Sequence, residues 1–477
     1  MTHDPQRPPS GPAAGPSDTP PAPGTPPATG EGLFSKRYAA ATTSFAAVMF
    51  LTGLAALAVL PTLPTAAEAL DGVHLFPLVA GCFVAASLFG GVLGGHWADR
   101  SGAHRPLAVG MLLAVATLVV SGASQSIWHL AAGRFLDGLA AGMVAVSINT
   151  AIGQSYPSAL RSRALALMST CWIVPSLLGP PLAGVVAEVW SWRTVFLGLA
   201  VLTLIPALAV VAVLRGDSWA LAVPEPKDAP RPALLTAAAV SLGAAVAQYG
   251  VSGGGAGHLA FAVAGLALLA AFAPRLLPPG TLRAARRLPV TVLSRGLSSG
   301  VFFTLEALVP LLLVTERDVS PLLVGLVFTG AAIAWAASSW VQGHLLESRP
   351  RHQLVRAGAV LMAGAILVAA VGTSPALPPF VAASAMVLAA LGMGMLVPSL
   401  TVLSLEHSPE GRQGYASGAM QTAQNLGQVT VLGAGSGVLH LCLARGTGET
   451  VGYVTAFLLL LVPCTLTVLL ATRTRRP

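Results

Sequence analysis

The chain has 477 residues, 54% of them hydrophobic and only 9% charged, with a net charge of +8 and a mean hydropathy of +0.75. A soluble domain carries about 25% charged residues, so this composition excludes a soluble enzyme, a secreted disulfide scaffold and a disordered protein. Apolar stretches of about 18 residues or more, each able to cross roughly 30 Å of hydrocarbon, recur along nearly the whole chain, so the sequence is that of a polytopic helical membrane protein.

Residues 1–37 open the chain, and ten prolines fall within 1–33 among Gly, Ser, Thr and Ala without an apolar run. That composition predicts a disordered tail rather than a signal peptide. Fourteen spans follow, near 38–60, 75–95, 106–122, 128–153, 164–187, 192–214, 233–252, 257–273, 290–314, 321–343, 354–372, 378–404, 415–440 and 451–471. With both termini inside, 21 of the 26 basic residues fall in the inner segments and only Arg193, Arg317 and Arg445 in outer loops. Lys and Arg concentrate in cytoplasmic loops, and so both termini are expected in the cytoplasm. The basic residues sit in short gaps between apolar segments, which points to anionic lipid headgroups as partners and not to nucleic acid. Cys82, Cys171, Cys442 and Cys464 lie inside apolar runs without CxxC spacing, so neither metal nor redox chemistry is expected. An Arg-rich, Ala-rich chain with only two lysines, Lys36 and Lys227, fits a bacterial source.

Segment 233–273 has no Asp, Glu, Lys or Arg and is broken only at Ser252-Gly253-Gly254-Gly255. As helix its 41 residues reach about 60 Å, enough for two crossings, with a re-entrant pair as the alternative. The chain also repeats internally. Gly95-His96-Trp97-Ala98-Asp99 recurs as Gly343-His344-Leu345-Leu346-Glu347, and Gly142-Met143 as Gly394-Met395; Pro157, Ala164, Met168 and Thr170 match Pro409, Ala416, Met420 and Thr422. The expected organisation is therefore a tail (1–37), a six-helix half (38–214), a linker with two extra helices (215–289), a second six-helix half (290–472) and a short tail (473–477). Parallel halves around a midplane site are an architecture of transporters that work by alternating access.

Several motifs carry chemistry. After the second helix the chain reads Gly95-His-Trp-Ala-Asp99-Arg100-Ser-Gly102-Ala-His-Arg105, expected to be a loop. Helix 4 reads Gly133-Arg134-Phe-Leu-Asp137-Gly138. A guanidinium in a bilayer is almost always paired or facing water, and Asp137, three residues on, is its available counter-ion. Helix 5 carries Pro175, Gly179, Pro180 and Gly184, residues that kink a helix and permit close packing. Helix 9 carries Arg295 and Glu306, eleven residues apart and so within about 20° in direction and about 16 Å along the axis. A mid-membrane carboxylate is by default a functional group, which makes Glu306 a proton-binding or cation-recognising candidate; permanent neutralisation by Arg134 or Arg295 is the alternative. Helix 13 places Gln421, Gln424, Asn425 and Gln428 on one stripe, where they either line a wet pathway or bond between helices. No P-loop is present to drive transport with ATP.

These motifs resemble those of the major facilitator superfamily. The Gly95–Arg105 segment resembles its G-x-x-x-D-R-x-G-R-[KR] signature, with Ala103 in place of the usual basic residue. The resemblance implies that Gly95, Asp99, Arg100, Gly102 and Arg105 form a conformational switch. Helix 4 is similar to R-F-x-x-G-x-x-x-G, where the Arg is associated with proton transfer, and helix 5 to the antiporter motif. Trp192-Arg193-Thr-Val-Phe196 also matches, placing Trp192 at the interface. The two extra helices make the chain most similar to the fourteen-helix drug:proton antiporter branch, although Thr52 and Leu57 stand where helix 1 of that branch has Asp and Asn. The implied fold is all-α, a major facilitator fold of two six-helix halves plus two central helices. The implied function is proton-coupled efflux of small hydrophobic compounds, with proton coupling through Asp137, Glu306 or both. The alternative is an uptake facilitator or lipid exporter of the same fold. The expected partners are a small-molecule substrate and protons, without a cofactor, in a monomer of the bacterial cytoplasmic membrane that is not an enzyme.

Overall fold

In the computed structural model, the structure describes residues 32–35, 38–156, 173–215, 234–253, 256–346, 348–408 and 413–475, with single positions between 157 and 172. The expected tails at 1–31 and 476–477 and most of the linker before residue 234 lie outside the described residues. Every long apolar run is helical: α1 Ala39–Val59, α2 Leu63–Ala69, α3 Phe76–Ser101, α4 His104–Gly122, α5 Ile127–Ser155, α6 Ile173–Val189, α7 Trp192–Arg215, α8 Leu234–Val251, α9 Ala256–Phe272, α10 Leu288–Thr315, α11 Pro321–His344, α12 Arg351–Gly372, α13 Pro379–Glu406, α14 Gln413–Ala444, α15 Glu449–Leu459 and α16 Leu461–Leu470. Taken as spans, α1 runs on into α2 and α15 into α16. Among the described residues thirteen spans are long and apolar enough to cross a membrane, and α6 adds a shorter apolar helix as the fourteenth.

Small residues set the spacing of the first half. Gly138 and Gly142 of α5 lie so close to α3 that a Cβ would come within 2.0 Å of the Phe83 carbonyl and 2.1 Å of the Ser87 carbonyl; a Cβ at Gly90 would come within 2.1 Å of the Leu139 carbonyl. Direct backbone contact of this kind replaces the hydrophobic drive that lipid cannot supply between helices. The internal repeat proves to be a repeated contact. A Cβ on Gly394, the counterpart of Gly142, would meet the carbonyl of Trp335 at 2.5 Å. Trp335 stands 248 residues after Ser87, which is the offset of the Gly95/Gly343 match.

The central helices α8 and α9 form a full hairpin through Gly250 and Gly265, each of which approaches the facing backbone. The hairpin is not peripheral decoration. Gln248 of α8 is 1% exposed and donates from Nε2 to the Val429 carbonyl of α14 at 2.8 Å. Its side chain also fills the space over Gly81 of α3, so one residue touches both halves.

Three expectations change. The segment 95–105 is mostly helix, because α3 continues to Ser101 and α4 begins at His104, leaving a break of two residues with Gly102 at φ +81°. Trp192 is buried at 4% exposure, beneath Arg193, whose guanidinium lies 4.3 Å from its ring; Trp190, 70% exposed, is the aromatic that faces outward. The last span is broken at Leu460 rather than continuous.

Candidate functional site

The first half holds a buried ion pair. Arg134 Nη1 donates to Asp137 Oδ2 at 2.6 Å, one turn along α5. Arg134 is 2% exposed and its guanidinium stacks 4.3 Å from the Phe83 ring of α3. The Thr117 hydroxyl of α4 faces the Asp137 carboxylate. Beside Asp137 lies a cavity of about 20 Å³ bounded by Thr52, Ala55, Phe83, Leu118 and Thr203, which has room for roughly one water. The Thr203 hydroxyl is buried without a partner and Asp137 and Thr52 share the same wall, so the cavity offers such a water polar groups. Thr52 faces the same cavity as Asp137, so the position that lacks a helix 1 carboxylate and the carboxylate that is present are neighbours in space.

In the second half Arg295 and Glu306 both rise from α10. Glu306 is half-buried, and among the described residues it has no ion-pair partner. Neither of the neutralising partners considered from sequence pairs with it, because Arg134 is engaged by Asp137 and Arg295 lies about 16 Å away along the shared helix, where it bonds Gln424 of α14. The amide stripe divides. Gln421 is exposed and donates to Asn425 at 3.1 Å, Gln424 accepts from Arg295, and Gln428 is buried. Gln424 thus bonds between helices, while Gln421 on the same stripe stays exposed.

The helix bearing Pro175, Gly179, Pro180 and Gly184 builds the contact between the halves. Gly179 packs on Leu54 and Ala58 of α1, and Pro175 is buried. A Cβ on Gly184 would meet the Pro321 carbonyl of α11 at 2.5 Å, and one on Gly325 would meet the Pro180 carbonyl at 2.4 Å. Proline has no N–H to return to the carbonyl four residues earlier, so Pro181 frees the Leu177 carbonyl. Thr329 of α11 donates its hydroxyl to that carbonyl at 2.9 Å. Further along, the Leu322 N–H donates to Glu188 Oε2 at 3.3 Å. These contacts run from the end opposite the basic loops to about mid-depth, so the halves are closed at that end.

The same end carries carboxylates that the sequence did not single out. Glu316, which caps α10, hydrogen-bonds Glu449 at the start of α15, and the Thr315 hydroxyl donates to its Oε1 at 3.3 Å. Burial and the neighbouring Glu449 push the Glu316 carboxyl up to about 7. Glu68 of α2, from the other half, faces Asp318. Arg317 offsets this only in part, because its guanidinium hydrogen-bonds the carbonyls of Leu377, Gly372 and Ser374. Only the distribution of acid along the outer loops signals this cluster in sequence.

Of the switch residues, a Cβ on Gly95 would meet the Val146 side chain of α5 at 3.3 Å, and Arg100 and Arg105 are exposed. The side chain of Asp99 lies outside the described residues. Among the described residues no group of three or more His, Cys, Asp or Glu has the geometry to hold a metal ion.

The profile of the Major Facilitator Superfamily matches residues 45–432. A probable multidrug-efflux transporter of Mycobacterium tuberculosis is 25% identical, over 80% of this chain and 83% of that one. A probable actinorhodin transporter of Streptomyces coelicolor is 28% identical over 72% of this chain and 62% of its own. Among solved structures, a peptide transporter POT in complex with alafosfalin superposes with a TM-score of 0.67 over 91% of this chain and 94% of that one, at 17% identity. That similarity is one of fold.

Proposed function

The chain belongs to the Major Facilitator Superfamily, and we propose that it exports small, largely hydrophobic compounds across the bacterial cytoplasmic membrane in exchange for protons. Relatives described as multidrug-efflux transporters, aligned over most of both chains, support efflux. The observation that carries proton coupling is Glu306, a carboxylate within a membrane span that no cation neutralises among the described residues. Such a group is stable in hydrocarbon when protonated and needs water or a cation when ionised, so its protonation follows which side the cavity opens to.

Charge placement supports a cytoplasmic side for the basic loops and both termini. The closed contact between α6 and α11 is then the outer gate, and the structure is an outward-closed state. In the proposed cycle protons load Glu306 and Asp137 from outside, the halves rock, and protons leave inside while substrate is released outward. Each proton that enters down the membrane potential contributes about 2.3 kcal/mol per 100 mV. Substrate need only bias two states that differ by a few kcal/mol. The protein acts as a monomer, since each chain carries both halves and its own gate.

The test is proton movement in everted membrane vesicles, followed with a pH-sensitive dye as lipophilic cations, neutral antibiotics and lipids are added. Wild type should release protons on addition of a transported compound, and Glu306→Gln should not. Transport of labelled compound with no proton movement in wild type would remove the coupling role. That outcome favours a facilitator or lipid exporter, the reading to which Thr52 in helix 1 points.

A further inference from the structure

Arg295 is a cation that the fold positions but does not neutralise. It lies about 10 Å into α10 from the basic end, in the half that holds no ion pair among the described residues. A guanidinium has five N–H donors. Here Nε at 3.2 Å and Nη2 at 2.5 Å both donate to one neutral acceptor, Gln424 Oε1, while Nη1 is buried without a partner. One turn further on the same face, the Ser299 hydroxyl is also buried and unpartnered.

Three structural roles for such a group do not fit. Pairing with Glu306 is too distant, at about 16 Å along the shared helix. Capping of carbonyls, the role of Arg317, is not what Arg295 does. Snorkelling to the headgroups requires an exposed guanidinium, and Nη1 is buried. The neighbouring backbone is instead held rigid. A Cβ on Gly427 would come within 1.9 Å of the Gly296 carbonyl, so α10 and α14 touch at this level. On the same helix, Asn425 follows Gln424 and accepts from the exposed Gln421.

A fixed, desolvated guanidinium with free donors is complementary to a planar anion that can accept two N–H groups at once. We propose that Arg295, with Gln424 and Ser299, is an anion-recognition site, and that the compounds carried by this protein include aromatic amphiphiles bearing a carboxylate. The proposal rests on the efflux reading above and narrows its substrate class.

The test uses the purified full-length chain in nanodiscs of phosphatidylcholine. Binding of tritiated 1-naphthoate is compared with that of 1-naphthamide, which has nearly the same shape without the charge, and then across a panel of aromatic acids and their amides. The acid should bind at least about tenfold more tightly than the amide, as expected for a charge-assisted pair. Arg295→Gln should abolish that preference and Arg295→Lys should retain part of it. Thermal unfolding separates a structural role: Arg295→Gln should be at least as stable as wild type, because it removes an uncompensated buried charge. Equal binding of acid and amide overturns the proposal, as does an acid preference that survives Arg295→Gln, a marked loss of stability in that variant, or no binding by any acid. If phosphatidylglycerol in the nanodisc removes naphthoate binding, the occupant is a lipid phosphate and the substrate assignment falls. Efflux of neutral compounds from cells, measured alongside, shows whether the transporter reading survives such a failure.

Discussion

Replacing Asp137 by Asn leaves the Arg134 guanidinium buried and uncompensated. In wild type that guanidinium is 2% exposed, stacked on Phe83 and paired at 2.6 Å, and among the described residues no other carboxylate pairs with it. Breaking a buried pair from one side costs about 3–5 kcal/mol, whereas replacing both partners by apolar residues of similar volume is often neutral or stabilising. Asp137→Asn should therefore destabilise the purified protein by about 3–5 kcal/mol in denaturant unfolding, and Arg134→Met combined with Asp137→Leu should recover most of that loss. Transport should behave differently. Neither the single nor the double variant should move protons in everted vesicles, because no titratable carboxylate remains beside the cavity at Thr52 and Thr203. An Asp137→Asn protein with wild-type stability would refute the ion-pair reasoning. A double variant that still exchanges protons would refute the coupling role of Asp137.

Thr329→Val removes the hydroxyl that satisfies the Leu177 carbonyl and should weaken outer closure by about 1–3 kcal/mol. A lower disulfide yield between Glu188→Cys and Leu322→Cys would report this, and an unchanged yield would count against the proline-freed carbonyl as part of the gate. Burial and Glu449 raise Glu316 to about 7, so its contribution to the packing of α10 against α15 is complete below its ordinary value near 4.5 and is lost as pH rises through about 7. Hydrogen exchange across residues 449–459 should accelerate over that interval, and Glu316→Gln should flatten the dependence. Gly142→Val drives a side chain into the Ser87 carbonyl and should abolish monodisperse folded protein in detergent. By contrast Gly198→Ala, with nothing within 4 Å of its Cβ, should behave as wild type.

What the sequence by itself determined is the part of the problem that one solvent dictates. Hydrocarbon forces each apolar run to satisfy its own backbone as helix, so spans, basic loops and the division into repeated halves follow from composition and order alone. The pair Arg134–Asp137 was legible for the same reason, since both residues sit one turn apart on one helix and need no tertiary information. Groups that depend on two distant segments were not legible. Gln424 turns toward Arg295 while Gln421, on the same stripe, stays exposed; helical spacing gives them one face, and only the crossing of α10 and α14 separates their roles. The prolines of α6 announced a kink, but that a freed carbonyl meets Thr329 of the other half depends on how closely Gly184 and Gly325 let two helices approach. The outer carboxylates Glu68, Glu316, Asp318 and Glu449 are scattered over almost four hundred positions of numbering; the fold of the second half brings Glu316 to Glu449, and Glu68 joins Asp318 from the first half. Sequence fixes what each segment must be in a bilayer, while the energies of buried charges and freed carbonyls are set by which segments touch.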